Sequence, residues 1–453
     1  MDNSNLVTEG DINFSDERRK WDEQITDPKT RQILEDDSRY FLHQSMSTPC
    51  LDVLDHSKGS SIRTLSGRHL LDFHGNNVHQ LGYGNDFVLR ELIEQMNHLS
   101  FSPRRYTNIP AVELAKKLAS LLPGDLNRSL FAPGGTSAVG MALKLARVVT
   151  GKHKLVSLVD SFHGASLDAI SAGGEAVFKK HMGPLMPGVF HIPAPTIYRS
   201  VFGDSEAGQL KYADYLEHAI EKEGDIGVFL AETIRNTDVQ IPTKAYWQRV
   251  REICTKHGVL LVLDEIPIAL GRTGSMFAFE HFGIEPDILC LGKGLGGGII
   301  PFAGIVARDS YNIAAEVSLG HYTHEKNPVG SAAALATISF IENENLLSQI
   351  AAHESWMKSE LNELKERFPL IGDVRGIGLL WGIELVKNRN TKEKANSEAE
   401  KIMYECMRNG LSFKISNGNV LQLSPALTIS REDLQKALSI LYSAFEKFAT
   451  TVK

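Results

Sequence analysis

The stretch from Leu260 to Pro301 constrains the fold more than any other. It holds two short apolar runs, L-L-V-L and I-L-C-L, each followed by a polar group its run does not anticipate: Asp264 after the first and Lys293 after the second. Unbroken apolar runs of strand length, bounded by Gly or Pro, belong to strands covered on both faces, as in a parallel α/β sheet. Such sheets place ligands at the carboxyl ends of their strands, so an acid and an amine share one crevice. Taken alone, the two are either an ion pair closing a sheet edge or two parts of a reactive site, and the rest of the chain decides between these.

At 453 residues the chain exceeds the usual size of one domain, so one large domain and at least one smaller unit are expected. The net charge of -7 and the absence of any basic block argue against nucleic acid as a partner. Four cysteines, Cys50, Cys254, Cys290 and Cys406, lie far apart with no C-x-x-C pair. That argues against a disulfide framework or a structural zinc site and fits a reducing compartment. The N-terminus, M-D-N-S-N-L-V-T-E-G-D, lacks the basic and apolar regions of a signal peptide, and no apolar run reaches bilayer length. A cytoplasmic protein without a membrane partner is expected.

Along the chain, Asp16 to Glu35 looks like a helix lying on something else, either a partner-subunit contact or, the commoner case, a solvated helical arm, and Tyr40 to Asp72 reads as a small antiparallel sheet. Leu70 to Asn85 sets glycines and asparagines beside histidines, a pattern for backbone close to a ligand, with His74, Asn76 and His79 as its polar groups. The loop S-P-R-R-Y-T-N carries Arg104 and Arg105, either solvated or, beside a pocket, an anion clamp. In S-L-F-A-P-G-G-T-S-A-V-G-M-A-L-K, a strand enters a Gly135-Thr136 turn and a helix leaves it. The amides at that helix start lack helical partners and carry the positive end of the dipole, which suits a phosphate; a plain cap by Thr136 or Ser137 is the competing reading. Phe162 and His163 precede a glycine where another strand ends, and I-G-V-F-L-A-E ends on Glu232, shortly before Arg235.

Strands alternating with helices from about 130 to 307 predict an α/β fold with a large doubly wound, mostly parallel sheet. A smaller α+β domain is expected from both termini, with residues 1–74 as arm and part of the small domain, 75–335 as the large domain and 336–453 as the C-terminal small domain. The strand ends then supply a phosphate turn, a flat aromatic, an acid and a lysine. A planar, phosphorylated aldehyde with a ring nitrogen needs each of them, which points to pyridoxal 5'-phosphate and to no metal.

The blocks L-D-E-x-x-x-x-x-G-R-T-G-x-x-F-A-x-E and P-D-I-L-x-L-G-K-G-L-G-G-G-x-x-P resemble those of the fold-type I, class III aminotransferase family, and the similarity runs from about Tyr40 to the C-terminus. The resemblance implies that Lys293 bonds to the cofactor aldehyde and that Asp264 partners its ring nitrogen. It further implies that Gly135 and Thr136 hold the phosphate and that Phe162, before His163, stacks on the ring. Thr323 matches a threonine that in this family reaches the phosphate of the neighbouring subunit, so a homodimer with shared active sites is implied.

Departures narrow the substrate. Ile266-Pro267 stands where the family usually has Val-Gln, Arg235 where it has a neutral glutamine, and Gly134 to Gly140 lacks both acids of the usual phosphate helix. Gln422 replaces the arginine that grips an amino acid's α-carboxylate in many members. Losing that charge-assisted contact costs roughly 1.5 to 3 kcal/mol, which disfavours an ordinary amino acid. Arg104, Arg105, Arg235, His321 and Lys326 remain as anion holders, with His74, Asn76 and Gln422 as further substrate contacts. The segments D-F-H-G-N, S-P-R-R-Y-T-N and H-Y-T-H-E-K resemble a lyase branch of the family that removes ammonia from a small hydroxylated aminophosphonate. A transaminase acting on an ω-amine or aminophosphonate is the alternative.

Overall fold

The computed structural model describes residues 15–44, 47 and 50–449. The polar stretch Met1–Asp11, read above against a signal peptide, lies outside them, as do Thr48 and Pro49. No helix among the described residues is long and apolar enough to cross a membrane. The chain forms two compact units: one from the segment ending at Gly84, Thr237–Val239 and the segment from Ser348 onward, the other from Asn85–Asn236 and Gln240–Leu347.

The second unit is organised by a seven-stranded sheet. Its strands in chain order are β1 (Leu126–Ala132), β2 (Lys154–Leu158), β3 (Val189–Ile192), β4 (Ile226–Glu232), β5 (Leu260–Asp264), β6 (Ile288–Leu291) and β7 (Ala303–Arg308). In space they run β1-β7-β6-β5-β4-β2-β3. Every neighbouring pair is parallel except those made by β7, which is antiparallel to both β1 and β6. The chain therefore has the doubly wound, mostly parallel sheet that its alternating elements predict. All residues of β4, β5 and β6 are buried, as their unbroken apolar runs require.

Helix α1 (Gly135–Thr150) leaves β1 and buries one long face, Ala138 to Met141 included, against the sheet. Its N-cap, Gly134, gives no side-chain cap, and it ends on Gly151 in the left-handed region (φ 65). A longer turn leads from β4 to helix α2 (Lys244–His257), which Thr243 caps through the Tyr246 amide.

The first unit holds two smaller sheets. Strands Leu54–Lys58, Ser61–Thr64 and His69–Asp72 form the antiparallel set expected from the sequence, and Leu411–Ser412 adds to it in parallel. In the other, Arg375 on Ile371–Ile377 bonds Asp373 at 3.0 Å and Glu384 at 2.9 Å, and donates to the Asp238 carbonyl at 2.7 Å. That guanidinium ties Thr237–Val239 into the unit. The N-terminal helix Asp16–Glu23 lies on its own unit, as a helix resting on something else, and the alternative of a solvated arm is corrected. Trp21 is 1% exposed, lies 5.9 Å from the Tyr404 ring and donates its indole N–H to the Leu51 carbonyl. A tryptophan buries too much apolar surface to stay on a solvated face once a partner ring is offered.

Candidate active site

Because β1, β6, β5, β4 and β2 are mutually parallel, their carboxyl ends open on one edge of the sheet. The residues that follow them are, in spatial order, Gly135-Thr136, Lys293, Asp264, Glu232 and Phe162-His163. The sequence places these groups apart by up to 158 positions, and the topology brings them to one edge.

Lys293 follows β6 by two residues and opens a 3-10 turn with φ 49. Left-handed backbone is costly for a lysine and persists where surrounding structure fixes it, which is common at functional sites. Asp264 ends β5, level with Cys290 of β6 and Glu232 of β4. Its Oδ2 accepts from His163 Nδ1 at 2.9 Å and its Oδ1 from the Ile266 amide at 3.0 Å. The His163 and Asp264 side chains are 0% and 2% exposed. His163 Nε2 lies 3.4 Å from Ser157 Oγ, so both ring nitrogens have partners. A buried imidazole held in this way fixes the direction of the carboxylate.

Phe162, half-buried, packs against the Phe178 ring at 4.7 Å. Gly164 (φ 130) brings the turn close to α1: a Cβ there would lie 2.6 Å from Thr136 Oγ1. Ser166 completes the contact, with its amide 3.1 Å and its hydroxyl 2.5 Å from Thr136 Oγ1. Ser166 also donates to Asp168. Sequence reasoning missed Ser166, since a lone serine after a glycine carries no signal.

It also missed the part played by Ile266. A Cβ on Gly135 would sit 3.0 Å from Ile266 Cδ1, and one on Gly292 would sit 3.1 Å from Ile266 Cγ2. One buried side chain thus packs between the start of α1 and the residue before Lys293. Glu265 points the other way: it accepts from the Thr233 hydroxyl and from the Ala278 and Phe279 amides at 2.7 to 2.8 Å.

Glu232 is 5% exposed and accepts from the Phe162 amide at 3.4 Å and the Asn236 amide at 3.3 Å. Burial pushes its carboxyl up to about 7; Asp264 adds to the rise, while His163 and Arg235 oppose it. Arg235 is buried and stands 3.9 Å from Asp160.

The remaining expected substrate contacts lie on other segments of the chain. Arg104 meets His321 Nε2 at 2.9 Å, and Asn108 donates to the Lys326 carbonyl at 2.8 Å, so the loop before 108 is stitched to the turn at 321–326. Arg105 and Thr323 are exposed there. His74, Asn76 and Gln422 belong to the first unit. In that unit Asn76 is exposed with φ 47, and Gln422 is 1% exposed in the strand Val420–Leu423. His79, singled out with His74 and Asn76, stacks on Tyr83 at 5.2 Å and fills the space over Gly75.

The donor set fits a phosphorylated pyridine aldehyde. The helix start has no side-chain cap to compete with an anion, a buried carboxylate is braced by a histidine, an aromatic stands beside it, and a lysine ends the adjoining strand. Among the described residues the three-ligand metal grouping, Glu217, Glu221 and His257, lies on other elements. There Glu217 already pairs with Arg249, Lys256 and His257.

Comparison with known proteins agrees with this chemistry. Residues 43–445 match the aminotransferase class-III family profile. The chain is 56% identical to the (R)-1-hydroxy-2-aminoethylphosphonate ammonia-lyase of Vibrio splendidus, over 97% of this chain and 95% of that one. Among solved structures, the (S)-enantioselective ω-transaminase of Thermomicrobium roseum superposes with a TM-score of 0.86 at 29% identity, covering 92% of this chain and 98% of that one. The taurine:2-oxoglutarate aminotransferase of Bifidobacterium kashiwanohense, solved with pyridoxal phosphate and glutamate, gives a TM-score of 0.88 at 25% identity over 94% and 99%.

Proposed function

The chain belongs to the aminotransferase class-III family, and on that premise we propose that it is a pyridoxal-phosphate-dependent ammonia-lyase. Its substrate is (R)-1-hydroxy-2-aminoethylphosphonate, and its products are phosphonoacetaldehyde and ammonia. The observation that carries this reading is the 56% identity, over nearly the full length of both chains, to a lyase of that name. Gln422 supports it: a substrate with an amine and a phosphonate has no use for a carboxylate-gripping arginine.

Bound at the strand ends, the cofactor supplies an aldehyde carbon for the substrate amine and a ring that takes up the electron pair of a breaking C–H bond. The protein's part follows from the geometry. The amides at the start of α1 would hold the phosphate, with Thr136 fixed beside them by Ser166. Asp264, braced by His163, would accept from a protonated ring nitrogen. Phe162 would stack on the ring. Lys293 Nζ removes the proton from the carbon bearing nitrogen. The hydroxyl on the neighbouring carbon departs as water, and hydrolysis of the resulting enamine releases ammonia.

Thr323 is exposed and has no hydrogen bond among the described residues, which supports a homodimer in which that threonine reaches the partner's cofactor phosphate. Four cysteines without disulfides support a reducing cytoplasm.

A transaminase is the second reading, favoured by the activities of the two solved structures. The loaded enzyme, incubated with the hydroxylated aminophosphonate and no oxo acid, separates the two. Repeated turnover with one ammonia per substrate supports the lyase. A single half-turnover that leaves the amine on the cofactor overturns it.

A further inference from the structure

We propose that Arg104 and His321 act across a subunit boundary: from one protomer they hold the phosphonate of the substrate bound in its partner's site. This rests on the lyase and homodimer readings above. The geometry begins with two loops that lead into helices. The loop 99–108 enters the helix Ile109–Leu121, and the turn 321–327 enters the helix Pro328–Asn343. Asn108 and Asn327 cap these helices through the Ala111 and Val329 amides, each at 3.0 Å, and each helix has a proline in its first two positions. Three contacts then join the loops to each other. Arg104 Nη2 meets His321 Nε2 at 2.9 Å, the Phe101 and His324 rings stand edge to face at 5.3 Å, and Asn108 donates to the Lys326 carbonyl at 2.8 Å. His321 and Lys326 keep left-handed backbone, with φ 64 and 52, which non-glycine residues hold where neighbours fix them. Thr323 lies between His321 and His324 and so belongs to the same rigid patch. A patch that carries Thr323 to the partner's cofactor phosphate carries Arg104 and His321 with it.

The surface that adjoins the patch is one that a partner covers. Phe101, Tyr106, Ile109 and Val112 leave large apolar side chains exposed, Ile109 at 76%. Leu99 and Ile109 line one groove with Ala332 and Leu335 of the helix that follows the turn. Apolar exposure grouped in this way marks an association surface, and a second copy of this chain is the occupant that brings Thr323 to a phosphate.

The pair has the chemistry a phosphonate needs. A guanidinium has no acceptor, so Arg104 donates in its contact with His321 and Nε2 receives. The neutral ring then carries its own N–H on Nδ1, a second donor beside the remaining N–H groups of Arg104. Neither residue has another hydrogen bond or an acid partner among the described residues. Arg235, by contrast, is buried and already stands 3.9 Å from Asp160. The guanidinium fork offers parallel N–H groups to two phosphonate oxygens, and the imidazole N–H serves the third. Arg105, exposed in the same loop, adds a second positive charge.

Arg104→Gln keeps a donor and removes the charged fork. In the loaded homodimer it should raise KM for the hydroxylated aminophosphonate about 10-fold or more, the scale of one lost charge-assisted contact. Its kcat should change little, as for a group that holds substrate and transition state alike. A mixed dimer locates the contact. It pairs one Arg104→Gln chain with one Lys293→Ala chain, isolated through two different affinity tags. Its single intact Lys293 lies in the Arg104→Gln chain and is served by the guanidinium of the other chain. KM should therefore return to the wild-type value, at half the wild-type rate per dimer, and His321→Ala should repeat both results. A mixed dimer that keeps the raised KM would mean that Arg104 serves its own site, and an unchanged KM in the Arg104→Gln homodimer would remove it from the phosphonate; either overturns the proposal. So would a raised KM accompanied by loss of the dimer on size-exclusion chromatography or of the visible cofactor band, the mark of a structural role. Wild-type enzyme that releases no ammonia would instead overturn the lyase reading, and the same comparison is then read from the dissociation constant of 2-aminoethylphosphonate, titrated by the cofactor band.

Discussion

The Asp264 carboxylate receives the His163 Nδ1–H at 2.9 Å, and both side chains are shut off from solvent. A carboxylate braced by a buried ring keeps its direction, as a partner for a ring nitrogen requires. Asp264→Asn keeps the shape but halves the acceptor capacity and removes the charge. The rate of substrate C–H cleavage should fall by roughly 10²- to 10⁴-fold, while the phosphate contacts retain the cofactor. Deuterium exchange and cofactor absorbance on the same sample check both halves, and a loss below tenfold would remove Asp264 from this role.

Lys293 bears a different burden. Replacing it with alanine should lower ammonia release by at least about 10³-fold, since base and covalent anchor go together. The visible band of the lysine-bound cofactor should vanish as well. Persistence of either would transfer the role to another amine.

Gly135 and Ile266 are coupled by contact. A methyl group on Gly135 would meet Ile266 Cδ1 at 3.0 Å and push the start of α1 from its place. Gly135→Ala should therefore weaken cofactor binding roughly tenfold, about 1.4 kcal/mol, and Ile266→Val should recover part of that loss. Equilibrium dialysis of cofactor against the two single variants and the double variant measures the coupling. Strict additivity would mean that Ile266 does not position the helix start.

Glu232 gives the fold a pH signature. Its carboxyl is raised from the ordinary 4.5 to about 7, so the folded protein holds this proton more tightly than the unfolded chain. The stabilisation is fully present below pH 4.5 and is lost as pH rises through 7, roughly 3 kcal/mol in total. Subtracting the denaturation profile of Glu232→Gln from that of wild type across this window should expose the slope, and parallel profiles would contradict the assignment.

Much of the site was legible because it breaks patterns. Asp264 and Lys293 stand out as charges ending apolar runs, and Gly135-Thr136 as a turn where an amphipathic helix begins. What could not be read is what depends on direction and distance. Nothing in A-G-I-V-A-R says that β7 runs against its neighbours, since a buried strand looks the same either way. Ile266 gave no sign of packing against two glycines that lie 131 and 26 positions away. The tryptophan of the N-terminal helix found a partner ring 383 positions on, so a segment that reads as solvated became core. The candidate substrate cations are hard to read from sequence, because an arginine in a loop carries no periodic signal.

The reversed strand β7 has a bearing on how such enzymes diversify. It separates β1, which leads to the phosphate turn, from β6, which leads to Lys293, while Asp264 lies one strand further on. Strands repeat at about 4.8 Å, so the phosphate-bearing and lysine-bearing strands stand roughly 10 Å apart whatever side chains they carry. The sheet is a ruler whose graduations are peptide hydrogen bonds. Side chains at its open edge can change while the spacing of the strands that carry them stays as it was.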